Sequence, residues 1–237
     1  GGVSHPPYES LNLGFHNKDR HDDVLENRRI LSKYVGVPLE SFIVAQQIHS
    51  GNVSVVTESD KGKGASSYST GIPQTDALIT NIRGITLMVL VADCSPVFFF
   101  DRKNGAIGIA HSCRLGVVNK IVVQTVERMG QEYNCQPENI LVGVGPSICG
   151  KHYPISEEKS LILRSSLQKN TRSICVLNGQ ITFDLSTAIS EQLLSSGVIN
   201  KHIERFELCT YEEKKLFFSE RRSGPPTGRF GAAICLK

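Results

Sequence analysis

The chain has no apolar stretch approaching the roughly 18 residues that a membrane-spanning helix needs. Its apolar runs, such as Leu87 to Ala92, stop at strand length. This argues against a helical membrane protein. The 26 Lys and Arg residues never gather into runs, and the formal net charge is only +3. The clustered basic footprint of a nucleic-acid binder is therefore missing. None of the seven Cys (Cys94, Cys113, Cys135, Cys149, Cys175, Cys209 and Cys235) forms a CxxC pair. An odd Cys count behind an opening Gly1-Gly2-Val3-Ser4, with no secretory leader, predicts free or metal-bound thiols in a reducing cytoplasm. Neither an internal repeat nor a linker is visible. What remains is an ordinary globular composition, 40% hydrophobic and 21% charged over 237 residues, able to bury a sizeable core.

The densest information lies in residues 87–116, LMVLVADCSPVFFFDRKNGAIGIAHSCRLG. Leu87–Ala92, Val97–Phe100 and Ala106–Ala110 are short apolar runs that read as strands covered on both faces. Asp101-Arg102-Lys103-Asn104-Gly105 between the last two is turn chemistry. If Phe100 pairs with Gly105 across a four-residue loop, Cys94 faces His111. Opposed residues hold their Cβ atoms about 4.5–5.5 Å apart, which lets a thiolate and an imidazole share a metal ion. A one-residue slip would send one of them to the other face. Upstream, Phe42–Ser50 is an apolar strand that runs into polar residues, with His49 at its end. Taken singly, a Cys at a strand end is ordinarily a small buried hydrophobe, and a lone His a satisfied polar residue. Together, two His and one Cys make the three-ligand set of a catalytic zinc site, whose fourth position stays open. Their metal-binding atoms should then lie within about 4 Å of one another.

Gln46-Gln47-Ile48-His49, Ala92-Asp93-Cys94-Ser95-Pro96 and Ala110-His111 resemble motifs of one family. These are the laccase-like multicopper polyphenol oxidases, also read as purine nucleoside phosphorylases. The resemblance spans nearly the whole chain, and also touches Leu11-Asn12-Leu13-Gly14, Asn27-Arg28, Thr75–Thr80, Gly145–Ile148, Cys209-Thr210 and Phe217–Arg222. It implies an α/β (α+β) fold, one domain over 1–237, with mixed β-sheets in a layered sandwich flanked by helices. It also implies a strand ahead of Gly1 that this sequence does not contain. His49, Cys94 and His111 are the implied zinc ligands and catalytic residues, with copper as the alternative metal. Asn12, Gln46 and Asp93 are the implied substrate contacts, Asp93 also a base or a partner of a ligand. The implied reaction is phosphorolysis of purine nucleosides (adenosine, inosine, guanosine, methylthioadenosine), with adenosine deamination as a side activity. The partners are then small molecules, nucleosides and phosphate, with no nucleic acid and no membrane. A cytoplasmic monomer or weak homo-oligomer is expected.

Two stretches depart from the family. Its common His-Ala-Gly-Trp-Arg-Gly is here His111-Ser112-Cys113-Arg114-Leu115-Gly116, so the family's Arg becomes Leu115 and a cation appears one residue earlier. Its Cys-Cys-aromatic-Glu is here Lys151-His152-Tyr153-Pro154, without the carboxylate. Phosphate needs cations at fixed geometry. Arg114 is the first candidate, ahead of Lys151, Arg221 and Arg222; the alternative is that Arg114 faces solvent. Three further readings stay open. A copper oxidase would need several copper sites, and the sequence has one His-Cys-His set and no His-x-His pair. A Cys hydrolase or amidase could use Cys94 as nucleophile and His111 as base. A diverged binding protein would rest on Leu115 and Pro154.

Around the centre, Asp22–Tyr34, Val117–Tyr133, Ser156–Lys169 and Phe183–Ser195 read as helices from apolar spacing, caps and first-turn acids. In the first, Val24, Leu25, Ile30, Leu31 and Tyr34 can share an apolar face, leaving Arg28 at the solvent. Val53–Thr57, Asn139–Val144 and Gly228–Leu236 read as strands. Residues 58–73 read as a long loop, either a lid over the site or a mobile insertion.

Overall fold

Side chains alternate across a strand, so a run that is apolar at every position has a core on each face. The computed structural model describes residues 1–237 and follows this rule. Its strands are β1 (Phe42–Val44), β2 (Val53–Val55), β3 (Ala77–Thr80), β4 (Thr86–Val91), β5 (Ser95–Asp101), β6 (Ala106–Ser112), β7 (Ile140–Val144), β8 (Ile174–Leu177), β9 (Gln180–Phe183), β10 (Ile203–Arg205) and β11 (Phe230–Cys235). Its helices are α1 (His21–Val35), α2 (Arg114–Val118), α3 (Ile121–Tyr133), α4 (Glu157–Ser166), α5 (Leu185–Ser195) and α6 (Glu220–Ser223). A three-stranded sheet has the order β1-β4-β11, a six-stranded sheet the order β10-β7-β5-β6-β3-β2, and β8 with β9 forms a separate hairpin. Both larger sheets mix parallel and antiparallel pairs.

The two sheets face each other. Leu87 and Val89 of β4 meet Ile107 and Ile109 of β6 in one core. The alternate residues Met88 and Leu90 pack outward with Phe42, Val44 and Leu13, beneath Leu31 of α1. On the far side of the six-stranded sheet, Val97, Phe99 and Ala110 meet Val122, Val126 and Met129 of α3 and Leu193 of α5. The layers therefore run helix, sheet, sheet, helix: a mixed α/β sandwich. Each side chain fully buried in these cores contributes about 1.5–3 kcal/mol.

The central hairpin closes differently from the expected register. Phe100 pairs with Ile107 and Asp101 with Ala106. The turn is tightened because Asp101 Oδ1 accepts from the backbone N–H of Lys103 (2.8 Å) and Asn104 (3.2 Å), while Gly105 takes φ 60°. His111 thus faces Pro96, and extending the ladder by one residue sets Cys94 against Cys113. The difference is two residues, so Cys94 and His111 keep one face.

Other expectations shift for local reasons. The helix read over Val117–Tyr133 is two helices, parted at Lys120, whose φ is 56°. The hairpin β8–β9 was not foreseen, although its Asn178-Gly179 turn, at φ 50° and 77°, is a strong hairpin signal. In α1, Tyr34 is 89% exposed, while Val24, Asn27 and Arg28 form the buried face. Arg28 is not at the solvent. It is 2% exposed and donates to the carbonyls of Leu13 (2.9 and 2.7 Å), Ala65 (2.9 Å) and Gly64. Burial pushes its guanidinium down to about 9, still charged at neutral pH. Residues 58–73 dock on β1 through Val44, whose N–H reaches Lys63 O (2.9 Å) and whose carbonyl accepts from Ile72 (3.1 Å). Gly64 is obligatory there: φ is 74°, and a Cβ would stand 2.4 Å from the Val44 carbonyl. No helix is long and apolar enough to cross a membrane.

Candidate metal centre

His49 lies on the segment that follows β1, Cys94 immediately precedes β5 and His111 is the penultimate residue of β6, so the same end of the sheets brings the three side chains together. Their ligand atoms all lie within 4.8 Å of one another, on one side of the sheet end, as a shared ion requires. His111 is 3% exposed, Cys94 half-buried and His49 exposed.

Asp76, which the sequence reading placed only in a resembling segment, organises this end of the sheet. It is fully buried at the start of β3. One oxygen accepts from His111 Nδ1 (2.8 Å) and His49 N (3.0 Å). The other accepts from Ser50 N and Oγ (both 2.7 Å) and Ile48 N (3.2 Å). Burial alone would raise its pKa, but the bonds from His111 and Ser50 outweigh it and hold the carboxyl at about 2. The bond to His111 Nδ1 fixes that ring and leaves Nε2 for a metal, the usual arrangement of a metal-binding His. Asp76 also holds the His49 backbone at φ 63°, a strained region for a residue with a Cβ.

Cys113 was likewise missed, though it lies two residues past His111 on extended backbone and so on the same face. Its Sγ sits 3.2 Å from His49 Nδ1 and accepts from Gly116 N (3.2 Å) at the start of α2. Its hydrogen bond with Cys94 pushes the Cys94 thiol well up, and burial adds to this. The same bond, opposed by burial and aided by His49, holds Cys113 down to about 4. Cys113 thus sets a second sulfur beside the His49 imidazole. Two nitrogens, a thiolate sulfur and a carboxylate behind one nitrogen suit zinc or copper better than a hard cation. The residues fit a soft or borderline metal.

These side chains line a cavity of about 560 Å³. Arg114, Arg221 and Arg229 also line it, whereas Leu115, Lys151 and Arg222 do not. The one-residue offset is thus resolved: Arg114 is the residue of this segment at the cavity, and Leu115 is 42% exposed elsewhere. Arg229 is paired with Glu220 at 2.5 Å; neither Arg114 nor Arg221 takes part in an ion pair. Arg221 lies 5.2 Å over the Tyr153 ring. Arg222 is a brace that donates to the carbonyls of Thr210 (2.6 Å), Tyr211 (3.0 Å) and Phe217 (2.7 Å). Lys151 pairs with Glu212 at 3.5 Å at the surface.

The remaining predicted contacts divide. Asp93 lines the cavity, but both its oxygens are engaged, by Thr210 Oγ1 and by Arg221 N, each at 2.7 Å. It therefore positions α6 and Arg221. Asn12 is fully buried, and its Oδ1 accepts from Arg229 N (2.9 Å) behind the cavity wall. Gln46 turns away to the carbonyls of Tyr68 (3.0 Å) and Ser69 (3.3 Å). Its neighbour Gln47 lines the cavity instead, pinned to Leu90 by a pair of 2.8 Å bonds. His16 stands at the cavity mouth, its ring 5.8 Å from that of Tyr68. Burial, then Arg229, hold its pKa down to about 4.

The model of the family described as "multi-copper polyphenol oxidoreductase laccase" matches residues 1–237. Among curated proteins, the chain is 36% identical over 236 residues to "purine nucleoside phosphorylase YlmD" of Geobacillus stearothermophilus, covering 99% of this chain and 86% of that one. It is 34% identical over 242 residues to the protein of the same name from Bacillus subtilis, covering 100% and 86%. The crystal structure of YlmD from Geobacillus stearothermophilus superposes with a TM-score of 0.97 at 36% identity, covering 100% of this chain and 88% of that one. The hypothetical protein YfiH of Bacillus licheniformis gives 0.97 at 32% identity, covering 100% and 90%. With the whole length matched in sequence and in fold, the chain belongs to the multi-copper polyphenol oxidoreductase laccase family.

Proposed function

We propose that this chain is a zinc-dependent purine nucleoside phosphorylase that also deaminates adenosine at the same centre. The observation that carries the reading is one cavity lined by two unlike sets of side chains: His49, Cys94 and His111, and the cations Arg114, Arg221 and Arg229. When bound, zinc polarises a substrate atom or lowers the pKa of a bound water to about 7.

In phosphorolysis a phosphate oxygen forms a bond to C1′ of the ribose as the bond from C1′ to the base nitrogen breaks. The base leaves with the electron pair and takes up a proton. Arg114 and Arg221, free of carboxylate partners, hold the phosphate dianion, and a guanidinium fork suits two of its oxygens. Asp93 fixes where Arg221 stands through its backbone N–H. Tyr153 and Tyr68 line the cavity and offer ring faces to a purine. Asp76 keeps His111 in one tautomer, so that a proton sits on Nδ1 and Nε2 stays free.

Copper at the same ligands is the alternative metal, since copper outcompetes zinc at most N/S sites. Four-electron oxygen chemistry would need further copper sites close by, which this His-Cys-His set does not provide. The hydrolase reading needs a Cys94–His111 pair, whereas the thiol–imidazole hydrogen bond present is between Cys113 and His49. The test is product analysis on inosine and adenosine with and without phosphate. Ribose-1-phosphate and free base, formed only with phosphate, support the phosphorylase. Ammonia from adenosine with no phosphate dependence on any nucleoside would leave only the deaminase. Phenol oxidation that follows copper loading, with no nucleoside turnover, would replace both.

A further inference from the structure

A second cluster of soft donors lies outside the cavity. Cys149 and His152 stand at the two ends of one turn, and Cys209 and Glu212 at the two ends of another. The spacing is Cys-x-x-His followed by Cys-x-x-Glu. Each turn closes on itself, His152 N reaching Cys149 O at 3.0 Å and Glu212 N reaching Cys209 O at 3.1 Å. The two are joined side by side by a parallel bridge between Ser147 and Cys209, and Thr210 N reaches Ser147 O at 3.1 Å. Cys149 N also donates to Cys209 Sγ at 3.3 Å. Paired short turns that each offer two ligands are how structural zinc sites are commonly assembled.

The distances from His152 to the other three donors suit a shared ion. Around His152 Nδ1, Cys149 Sγ stands at 3.4 Å, Glu212 Oε1 at 3.5 Å and Cys209 Sγ at 3.8 Å. Bonds of about 2.3 Å to sulfur and 2.0–2.2 Å to nitrogen and oxygen give tetrahedral edges of about 3.4–3.8 Å. Cys149, His152 and Cys209 come as close together as the cavity triad, and Glu212 stands beside His152 as a candidate fourth donor. Cys209 is buried, and the His152 ring is set by stacking on Tyr211 at 4.4 Å and 16°. Two thiolates and a carboxylate would leave one negative charge around a divalent ion, and Lys151 lies 3.5 Å from the Glu212 oxygen to balance it.

We propose that Cys149, His152, Cys209 and Glu212 form a second, structural zinc site. With four protein ligands it has no open position for substrate. Its place in the fold gives it a task. The clamped segment carries Thr210, whose hydroxyl holds Asp93, and the carbonyls of Thr210 and Tyr211, which hold Arg222. Zinc here would tie the C-terminal arm, with Arg221 on it, to the six-stranded sheet.

The test is zinc content per chain after purification in reducing, zinc-containing buffer and desalting. The unaltered protein should hold two equivalents, Cys94→Ser one, Cys149→Ser one, and the double variant none. Cobalt loaded into Cys94→Ser should show tetrahedral bands and sulfur-to-cobalt charge transfer that vanish in the double variant. Should Cys149→Ser fail to fold, His152→Ala in the Cys94→Ser background serves the same purpose and should lose the cobalt spectrum. Glu212→Gln should weaken zinc in competition with a chromogenic chelator by at least about tenfold, the loss that even an outer partner can bring. A Cys94→Ser protein that holds no zinc and gives no cobalt spectrum overturns the proposal. So does recovery of Cys149 and Cys209 as a disulfide that persists in the reducing buffer. Neither result bears on the cavity centre, whose failure would show as one remaining equivalent that Cys94→Ser leaves untouched.

Discussion

The two sets of residues that line the cavity are built in different ways. On the metal side, residues at one end of the sheets are locked by sheet register and by one buried carboxylate. On the cation side, Arg114 starts a five-residue helix, Arg221 sits in a four-residue helix and Arg229 precedes β11. A sheet end tolerates little change, since a one-residue slip reverses every side chain. Helix tips and loops can exchange residues while the cavity persists. This explains how the chain keeps the His-Cys-His set and yet carries Arg114 and Leu115 in place of the family's Trp-Arg. The difference between the two sets predicts that damage on the metal side is nearly all-or-none and damage on the cation side is graded.

The largest effects belong to the metal side. Cys94→Ser or His111→Ala should remove the cavity metal and, with it, several kcal/mol of catalysis, about a thousandfold or more in rate. Asp76→Asn keeps the shape of the carboxylate but not its charge or its hold on the His111 tautomer. It should weaken metal binding by about 10–100-fold, read by competition with a chelator. Equal metal affinity in Asp76→Asn would mean that the sheet alone sets the triad, and the contrast between the two sets would narrow.

Next comes the frame behind the cavity. Arg28 satisfies buried carbonyls from the segment before α1 and from the docked loop that carries Tyr68. Arg28→Ala leaves those acceptors without partners, at about 1–3 kcal/mol each before water enters. A total loss of about 3 kcal/mol in urea unfolding is expected, with part recovered by Arg28→Lys. An unchanged midpoint would show that water replaces the guanidinium at no cost.

On the cation side the expected response is graded. Arg114→Ala and Arg221→Ala should each raise the phosphate KM, by about tenfold for one charge-assisted contact of about 1.5 kcal/mol, with metal content unchanged. Lys151→Ala, outside the cavity, should leave phosphate dependence as it was. If Arg114→Ala behaves like Lys151→Ala, phosphate is held by Arg221 and Arg229 alone. That would weaken the idea that a cation moved along the chain still serves the same group.

The same contrast explains what could be read in advance. Strand runs that are apolar on both faces fixed the layers, and face parity kept Cys94 and His111 together even though the assumed turn was off by two residues. Asp76 escaped because nothing in the chain says that a buried acid at the start of one strand will accept from a histidine on another. Cys113 could have been found, since an extended chain returns to the same face after two residues. Arg28 was misread because a helix face is judged by apolar spacing, and its partners are loop carbonyls far away in sequence. Arg229 and His16 reach the cavity from opposite ends of the chain, a juxtaposition that only tertiary structure provides. The Cys-x-x-His and Cys-x-x-Glu spacings were visible, but two such pairs about 60 residues apart gain meaning only once Ser147 is bridged to Cys209.

The smallest predicted effect is a pH dependence at the cavity mouth. His16 has its pKa lowered from 6.5 to about 4, by burial first and by Arg229 next. Its folded form therefore takes up a proton less readily than the unfolded chain. Any stability tied to the neutral ring is fully present above about pH 6.5 and is lost as pH falls from there towards 4. The residue sits at the open mouth of the cavity and keeps contact with solvent, so screening keeps the effect small, below about 1 kcal/mol. Urea midpoints of the unaltered protein and of His16→Gln should differ by a constant amount above pH 7. Between pH 6.5 and 4.5 the unaltered protein should lose ground relative to the variant. Arg229→Ala should shrink that loss, since it removes one of the charges that oppose protonation. A difference that stays flat across the range would show that His16 titrates alike in both states, and that Arg229 does not extend its field to the ring.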